Sequence, residues 1–385
     1  MTAESAVGAP RRRPKDRKEQ ILAHARELFV ARGYPNVSMA DIAEGLGITA
    51  GALYRHFANK SVLLEEVMRA SFGYLDVPVT ADRLEQAIDQ ALEMLSSVPH
   101  LSDLWARESI YLPDAARDDL RRRMRDWAHA FLPSIRRERD DLDEGQEELI
   151  VWAIQSSLAF LGGGITSTAA VHRRPVVRRA ALALAHAQLV PTGQPVAPRP
   201  AVLSPVSTRE RLLLAAVDLF AERGFRETSM SMIGAAVDVT GPNLYGYFEN
   251  KADLLKAVHE RGVHALWLNL DNALRSADSP KQALRSLIAG HVQLAASWAR
   301  PRADFSGEPD LDEWIGHSQR EYLAEWTSLA LAANLALERR EARLRVLLAL
   351  VMVNDLHRTP HVESFETFPV NVERLALAVI CADED

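Results

Sequence analysis

One cysteine, Cys381, stands in 385 residues, which excludes an internal disulfide and fits a reducing cytoplasm. Long apolar runs are missing too. The longest stretch poor in charge, residues 149–171, contains Gln155, three consecutive glycines and several hydroxyls, so it makes a poor membrane span and no membrane partner is expected. No basic segment followed by an apolar one opens the chain, so secretion is not expected and the cytoplasm is the expected place. The net charge is −7, which argues against indiscriminate binding to polyanions. Reactive groups at recognisable spacing are also absent. His357 and His361 are four apart, but Pro360 interrupts the helix that would align them on a metal. Gly162, Gly163 and Gly164 follow a helical pattern rather than a strand and make a poor phosphate loop. Neither catalysis, nor a cofactor, nor a metal is expected.

What the chain does contain is a sequence written twice. Residues 17–64 return as residues 208–255 at a constant offset of 191 without a gap, with 18 of 48 positions identical. Self-similarity at fixed spacing marks a duplicated structural unit. Between the copies, Pro191, Gly193, Pro195, Pro198, Pro200 and Pro205 punctuate residues 190–206, a composition expected of an extended linker. Six divisions follow: a basic arm (1–14), a first repeat unit (15–70), a helical region (71–190), a linker (191–205), a second repeat unit (206–262) and a second helical region (263–385). Strand signals are scarce, whereas residues 83–95, 146–161, 178–189, 282–298, 319–337 and 341–356 carry apolar residues at helical spacing. The expected fold is all-α, with residues 304–313, which include Gly307 and Pro309, as an acidic surface loop.

Within the first copy, Ile21, Leu22, Ala25, Leu28 and Phe29 form the buried stripe of a helix that Gly33 ends. Ser38 and Asp41 give a capping box for a short second helix, which buries Met39, Ile42 and Leu46. Gly47 occupies a turn that needs positive φ. Thr49 then opens another short helix, and Asn59 caps a fourth. Two short helices around a glycine turn form a helix-turn-helix, whose second member fits the major groove of duplex DNA. Leu53 and Phe57 brace that helix, leaving Thr49, Ala50, Gly51, Tyr54, Arg55 and His56 for the bases. Lys60 and Ser38 are expected on phosphates, as is the arm holding Arg12, Arg13, Lys15 and Arg17. Residues 1–60 hold ten Lys/Arg against six Asp/Glu. Each of these residues also has a purely structural reading as cap, core or solvated charge; recurrence of the set in the second copy favours function.

The run Gly33-Tyr34, Ser38-Met39, Ile42-Ala43 and Gly47 to Phe57 with Lys60 resembles the DNA-binding domain of TetR-family transcriptional regulators. The second copy, Gly224-Phe225, Ser229-Met230, Val239 to Phe248 and Lys251, is similar to it again. The resemblance covers about a quarter of the chain. It implies two TetR-like units in tandem, each a helix-turn-helix domain followed by a ligand-binding and dimerisation domain. Two units in one chain, opened by an arginine-rich arm, resemble the tandem regulators of actinobacteria, among them repressors of mammalian-cell-entry lipid-uptake loci. By the resemblance, the last two helices of each half (146–161 with 178–189, and 341–356 with 371–380) would join as an intrachain pseudo-dimer. Association of two whole chains stays open.

The copies differ where they would touch DNA. Gly246 and Tyr247 replace Arg55 and His56, Asp238 replaces the turn glycine, and residues 199–260 hold seven Lys/Arg against eight Asp/Glu. The second unit's candidates are Ser229, Thr240, Gly241, Pro242, Asn243, Tyr245, Tyr247 and Lys251. Unlike recognition helices imply unlike half-sites and an asymmetric operator. Each of Lys60→Ala and Lys251→Ala is then expected to flatten the salt dependence by about one unit. All seven tryptophans lie outside the repeat units. Trp105, Tyr111, Trp152, Phe160, Trp298, Trp314, Tyr322 and Trp326 are candidates for lining a pocket for a small hydrophobic effector, lipid- or sterol-like, with ordinary core packing as the alternative. A rival reading keeps one or both helix-turn-helix units as scaffold in a ligand-binding or protein-interaction module.

Overall fold

A computed structural model describes residues 14–96, 101–162, 167–194, 203–298, 309–334 and 336–382. Among the described residues there are helices and no strand. The first half holds α1 (Pro14–Arg32), α2 (Met39–Gly45), α3 (Ala50–Tyr54), α4 (Lys60–Ser71), α5 (Leu84–Ser96), α6 (Leu101–Glu108), α7 (Asp114–His129), α8 (Leu132–Glu138), α9 (Glu144–Ala159) and α10 (Ser167–Ala185). The second holds α11 (Thr208–Glu227), α12 (Met230–Ala235), α13 (Gly241–Tyr245), α14 (Lys251–Ser276), α15 (Pro280–Trp298), α16 (Pro309–Ala333), α17 (Arg339–His357), α18 (Pro360–Glu363) and α19 (Phe368–Ile380).

Local chemistry sets the repeat units. Ile21, Ala25 and Phe29 recur every fourth residue and are fully buried, while Leu22 and Leu28 flank them half-buried. Gly33, at φ 77°, ends α1. The Ser38 hydroxyl accepts from the Asp41 N–H at 3.1 Å, and the Ser38 N–H donates to Asp41 Oδ2 at 2.7 Å, closing the capping box. Gly47 takes φ 61°, and Asp238 holds the same turn at φ 57°, a conformation Asp tolerates at modest cost. In the second copy α11 is broken at Gly224 (φ 79°) just as α1 stops at Gly33. Ser229 accepts from the Met232 N–H at 3.2 Å but has no acidic partner at Met232. Thr49 caps α3 through the Ala52 N–H at 3.2 Å, whereas Thr240 makes no side-chain cap bond.

The body of the molecule is built around α9 and α17. Leu149, Ile150, Val151, Ala153, Ile154 and Leu158 bury more than one face of α9, as a helix at the centre of a bundle must. This accounts for the charge-poor stretch noted in the sequence. Helices α9 and α10 pack on α17 and α19, joining the two halves through a four-helix contact. Polar bonds pin it: Ser156 Oγ donates to Asp355 Oδ2 at 2.7 Å, the Val190 N–H donates to Asn371 Oδ1 at 2.8 Å, and Asn371 Nδ2 returns a bond to the Val190 carbonyl at 2.9 Å. Arg179 on α10 pairs with Glu341 on α17, and Glu341 also takes the buried Arg345 at 2.6 Å.

The two repeat units are seated differently. The first shares a continuous apolar core with the body; the second has a core of its own, from Leu212 to Val258, against which Trp314 and Ile315 of α16 pack. Three sequence expectations change. Residues 309–313, read as part of an acidic loop, begin α16, because Pro309 suits a first helical position and the acids beside it suit the N-terminal dipole. The linker starts later than residue 191: Thr367 Oγ1 holds the Pro191 carbonyl at 3.1 Å, and the Thr192 N–H donates to Asp143 at 2.8 Å. The boundary at residue 262 falls inside α14, which runs unbroken from the second unit into the body.

Candidate nucleic-acid interface and the adjoining cavity

Each presumed recognition helix is braced from behind and bare in front. Leu53 and Phe57 are buried under α3, and Leu244 and Phe248 under α13. Thr49, Ala50, Gly51, Arg55, His56, Thr240 and Asn243 are exposed. Tyr54 is 51 % exposed, Tyr245 56 % and Tyr247 46 %, which removes the alternative that Tyr54 is a core residue. Gly241 and Pro242 stand in the first turn of α13, and the side chain of Pro242 lies outside the described residues. So do Arg12 and Arg13, and the side chain of Lys15; Arg17 is exposed near the start of α1.

The two lysines expected on phosphates are turned inward, a correction to the sequence reading. Lys60 Nζ donates to the carbonyls of Tyr34 and Val37, both at 2.9 Å, and sits 4.2 Å from the centre of the Tyr34 ring. Lys251 Nζ repeats this with Phe225 O (2.6 Å), Thr228 O (2.8 Å) and the Phe225 ring at 4.3 Å. Carbonyls freed where the first helix of each unit ends need donors, and the lysine supplies them. Burial lowers both lysine pKa values, and Arg226 adds to this at Lys60. Ser38 is likewise occupied, its hydroxyl lying 2.7 Å from Asp41 Oδ2. Ser229 Oγ lies 2.8 Å from Ser231 Oγ. Tyr34 and Phe225, the aromatic halves of the two clips, were missed in the sequence reading; their equivalence in the alignment was the available signal.

The units also touch. Arg226 donates to the Pro35 carbonyl at 3.4 Å and to Asn36 Oδ1. At the offset of 191, Arg226 is the counterpart of Pro35 itself. Contact between equivalent positions is what an approximate two-fold axis produces. The α1–α2 turn and the end of α11 thus meet at equivalent positions.

Behind the first unit lies a cavity of about 360 Å³, within the range of small-molecule sites. Trp105 and Ala106 of α6, Met124 of α7, Trp152 and Gln155 of α9 and the α17–α18 elbow enclose it. The second half thus completes a cavity of the first. Gln155 is buried, and its Oε1 has no hydrogen-bond partner. Glu148 holds one wall: it accepts from Trp152 Nε1 at 2.9 Å and meets His361 at 2.7 Å and His129 at 2.6 Å. Burial opposes its ionisation, but these three bonds outweigh that and bring its pKa to about 2. The end of α6 and the residues just after it grip the repeat unit. Arg107 reaches the Val30 carbonyl at 3.3 Å, Glu108 accepts from the Tyr34 N–H at 3.1 Å, and Tyr111 stacks on Tyr34 at 5.3 Å.

The aromatic candidates therefore separate. Trp105 and Trp152 line this cavity, and Tyr322 lines another in the second half. Trp326 is buried beside Tyr322, with ring centres 6.0 Å apart. Tyr111 belongs to the α6 contact, Phe160 lies under the Arg173 guanidinium, and Trp314 packs on the second unit's core. The side chain of Trp298 lies outside the described residues.

Comparison with known proteins finds matches to both repeat units. The pattern described as "Bacterial regulatory proteins, tetR family" matches residues 21–67 and again residues 212–258. The HTH-type transcriptional repressor KstR2 of Mycolicibacterium smegmatis is 33% identical over 88 residues, 23% of this chain and 40% of that protein. The HTH-type transcriptional activator FasR of the same organism is 35% identical over 80 residues, 21% of this chain and 36% of that protein. The chain thus spans about 40% of the length of these curated relatives. Among solved structures, a TetR-family regulator from Bordetella parapertussis aligns at 19% identity and a TM-score of 0.40, over 46% of this chain and 95% of that one.

Proposed function

We propose that this chain, a TetR-family protein with two DNA-binding domains in tandem, is a transcriptional repressor that grips an asymmetric operator with two unlike helix-turn-helix units. A small hydrophobic effector in the Trp105–Trp152 cavity releases it. The observation that carries this reading is the pair of braced, outward-facing recognition helices whose units meet at equivalent positions, Pro35 after α1 and Arg226 at the end of α11. Thr49 to His56 would read one half-site. Thr240 to Tyr247 would read a different one, with Asn243 suited to bidentate contact with adenine. Phosphate contacts fall to the arm and Arg17, since Lys60 and Lys251 are engaged on carbonyls.

Release follows from α6. Its Trp105 touches the cavity, while Arg107 and Glu108, two and three residues on, hold the backbone at Val30 and Tyr34. A ligand that displaces α6 pulls on the turn that Lys60 clips, and so shifts the first recognition helix. An occupant must prefer the displaced state to do this, since equal affinity for both states shifts nothing.

Footprinting on the DNA upstream of the chain's own gene, followed by half-site swapping, tests the reading. The wild type should prefer unlike half-sites, and grafting residues 49–56 into positions 240–247 should move the preference to an inverted repeat. Preference of the wild type for a perfect inverted repeat would overturn the asymmetry. A footprint unchanged by Asn243→Ala and Tyr247→Ala together would make the second unit a scaffold.

A further inference from the structure

Arg226, at the end of α11, reaches from the second unit into the first. It donates to the Pro35 carbonyl at 3.4 Å and to Asn36 Oδ1. The same helix packs on residues Ser109–Tyr111, just beyond α6. Phe225 and Arg226 thus share a cleft with Pro35, Asn36, Glu108 and Tyr111. The contact is unlike on its two sides. At the offset of 191, Arg226 corresponds to Pro35 and Glu227 to Asn36. Two copies of the first unit would set Pro35 against Pro35, with no charged donor on either side. We propose that Arg226 is a positioning residue, a latch that fixes the separation and angle of the two recognition helices and so selects one half-site spacing in the operator.

The second unit is built so that such a tie matters. Its core is separate from the body's, and α14 carries it into the body as one continuous helix. Trp314 and Ile315 pack on that core from α16. Units joined through small contacts move relative to one another unless something holds them. Operator spacing is sensitive to this motion, because one base pair shifts a half-site by about 3.4 Å along the duplex and turns it by about 35°. A latched pair meets one spacing with its bonds intact. On any other spacing the Arg226 bonds must break. An exposed charged contact contributes little by itself, so the effects are a few-fold.

The latch is read without DNA and its consequence with DNA; only the second measurement rests on the two-site operator reading. In a Cys381→Ser background, spin labels on Glu44→Cys and Ala235→Cys, both exposed and equivalent at the offset of 191, report the distance between units by pulsed electron resonance. Arg226→Ala should broaden that distribution. Asn36→Ala, which removes a partner but no charge, should broaden it too. Operators are then built with base pairs added or removed between the footprinted half-sites. Both variants should bind the altered spacings about three-fold tighter than the wild type does, and the native spacing no tighter, because the altered spacings no longer break a bond. Neither a lost phosphate contact nor a merely structural role would tighten binding anywhere. An unchanged distance distribution in Arg226→Ala, a uniform loss at every spacing with a salt slope flatter by about one, or tighter binding to the native spacing would overturn the proposal. Equal affinity of the wild type for all spacings would instead refute the two-site operator, and the spin-label distances would still decide the latch.

Discussion

Lys60→Met separates two physical roles for one side chain. Read from the sequence alone, the ammonium neutralises a phosphate, and its removal flattens the salt dependence of DNA binding by about one unit. In the structure it donates to the Tyr34 and Val37 carbonyls at 2.9 Å and lies over the Tyr34 ring. Hydrogen bonds to a charged group contribute about 1.5–3 kcal/mol each, and a cation–π contact about 0.5–1 kcal/mol. Desolvation of the ammonium, visible in its lowered pKa, offsets much of this, and water can reach the half-buried site when the lysine is gone. A net loss of about 2 kcal/mol is expected, borne by the first unit. Urea denaturation followed by circular dichroism reads the loss, and titrations of operator DNA across salt concentration read the slope. The expected outcome is lower stability with weaker binding at every salt concentration and an unchanged slope. Unaltered stability together with a slope flatter by about one would refute the carbonyl clip and restore the phosphate role. Lys251→Met is the internal repeat of the experiment, with its own carbonyls at 2.6 and 2.8 Å.

Acid should act through Glu148. Its folded pKa, about 2, lies below the ordinary 4.5, so the stability it contributes is present above about pH 4.5 and drains as pH falls toward 2. After discounting for solvent screening, the wild type should lose about 1–2 kcal/mol more than Glu148→Gln between pH 5 and pH 3; parallel denaturation midpoints would contradict the assignment. Hydrogen exchange should show the amides of α11 and α12 opening ahead of those of α1 and α2, because the second unit's core is separate from the body's. Equal protection would mean that the α14 connection and the Trp314 contact suffice to unite them. Asn243→Ala should relax discrimination at one base pair of one half-site by about 1–3 kcal/mol, read by competition with single-base variants. A uniform loss across all variants would place Asn243 on the backbone of the duplex.

Features encoded within a few residues were legible in the sequence. The capping box at Ser38 and Asp41, the left-handed turns at Gly47 and Asp238, and the braces Leu53 and Phe57 all depend on near neighbours. Features decided by distant chain were not. Where Lys60 points depends on carbonyls 23 and 26 residues away, and the alignment records that a lysine recurs without recording what it faces. The Trp152 cavity is closed by an elbow some 200 residues later, whose Asp355 and His361 meet Ser156 and Glu148. The start of α16 is a different case. Pro309 followed by Asp310, Asp312 and Glu313 is an N-terminal helix signature, and the same proline and acids next to Gly307 also read as a surface loop.

Fusion gives the two halves a freedom that a homodimer lacks. Identical subunits must offer identical cavities, whereas here one cavity is lined by Arg121, Arg125 and Arg358 among others and is shared between halves, and the other has Arg320 on its lining and is private to the second. Helix α17 touches both. Leu347, Leu350, Val351 and Asn354 face the Tyr322 cavity, while Asp355 and Leu356 face the Trp152 cavity. The same helix packs on α9 across the contact between halves. Close-packed helices shift as units rather than deforming locally. A ligand that moves α17 in one cavity therefore alters the wall of the other. Whatever factor the first occupant imposes on the affinity of the second, the second must impose on the first. On the proposed function, two unlike cavities on one helix, with an α6 lever on one helix-turn-helix unit, would make the occupied pair, rather than either molecule alone, the state that decides whether the chain holds its DNA.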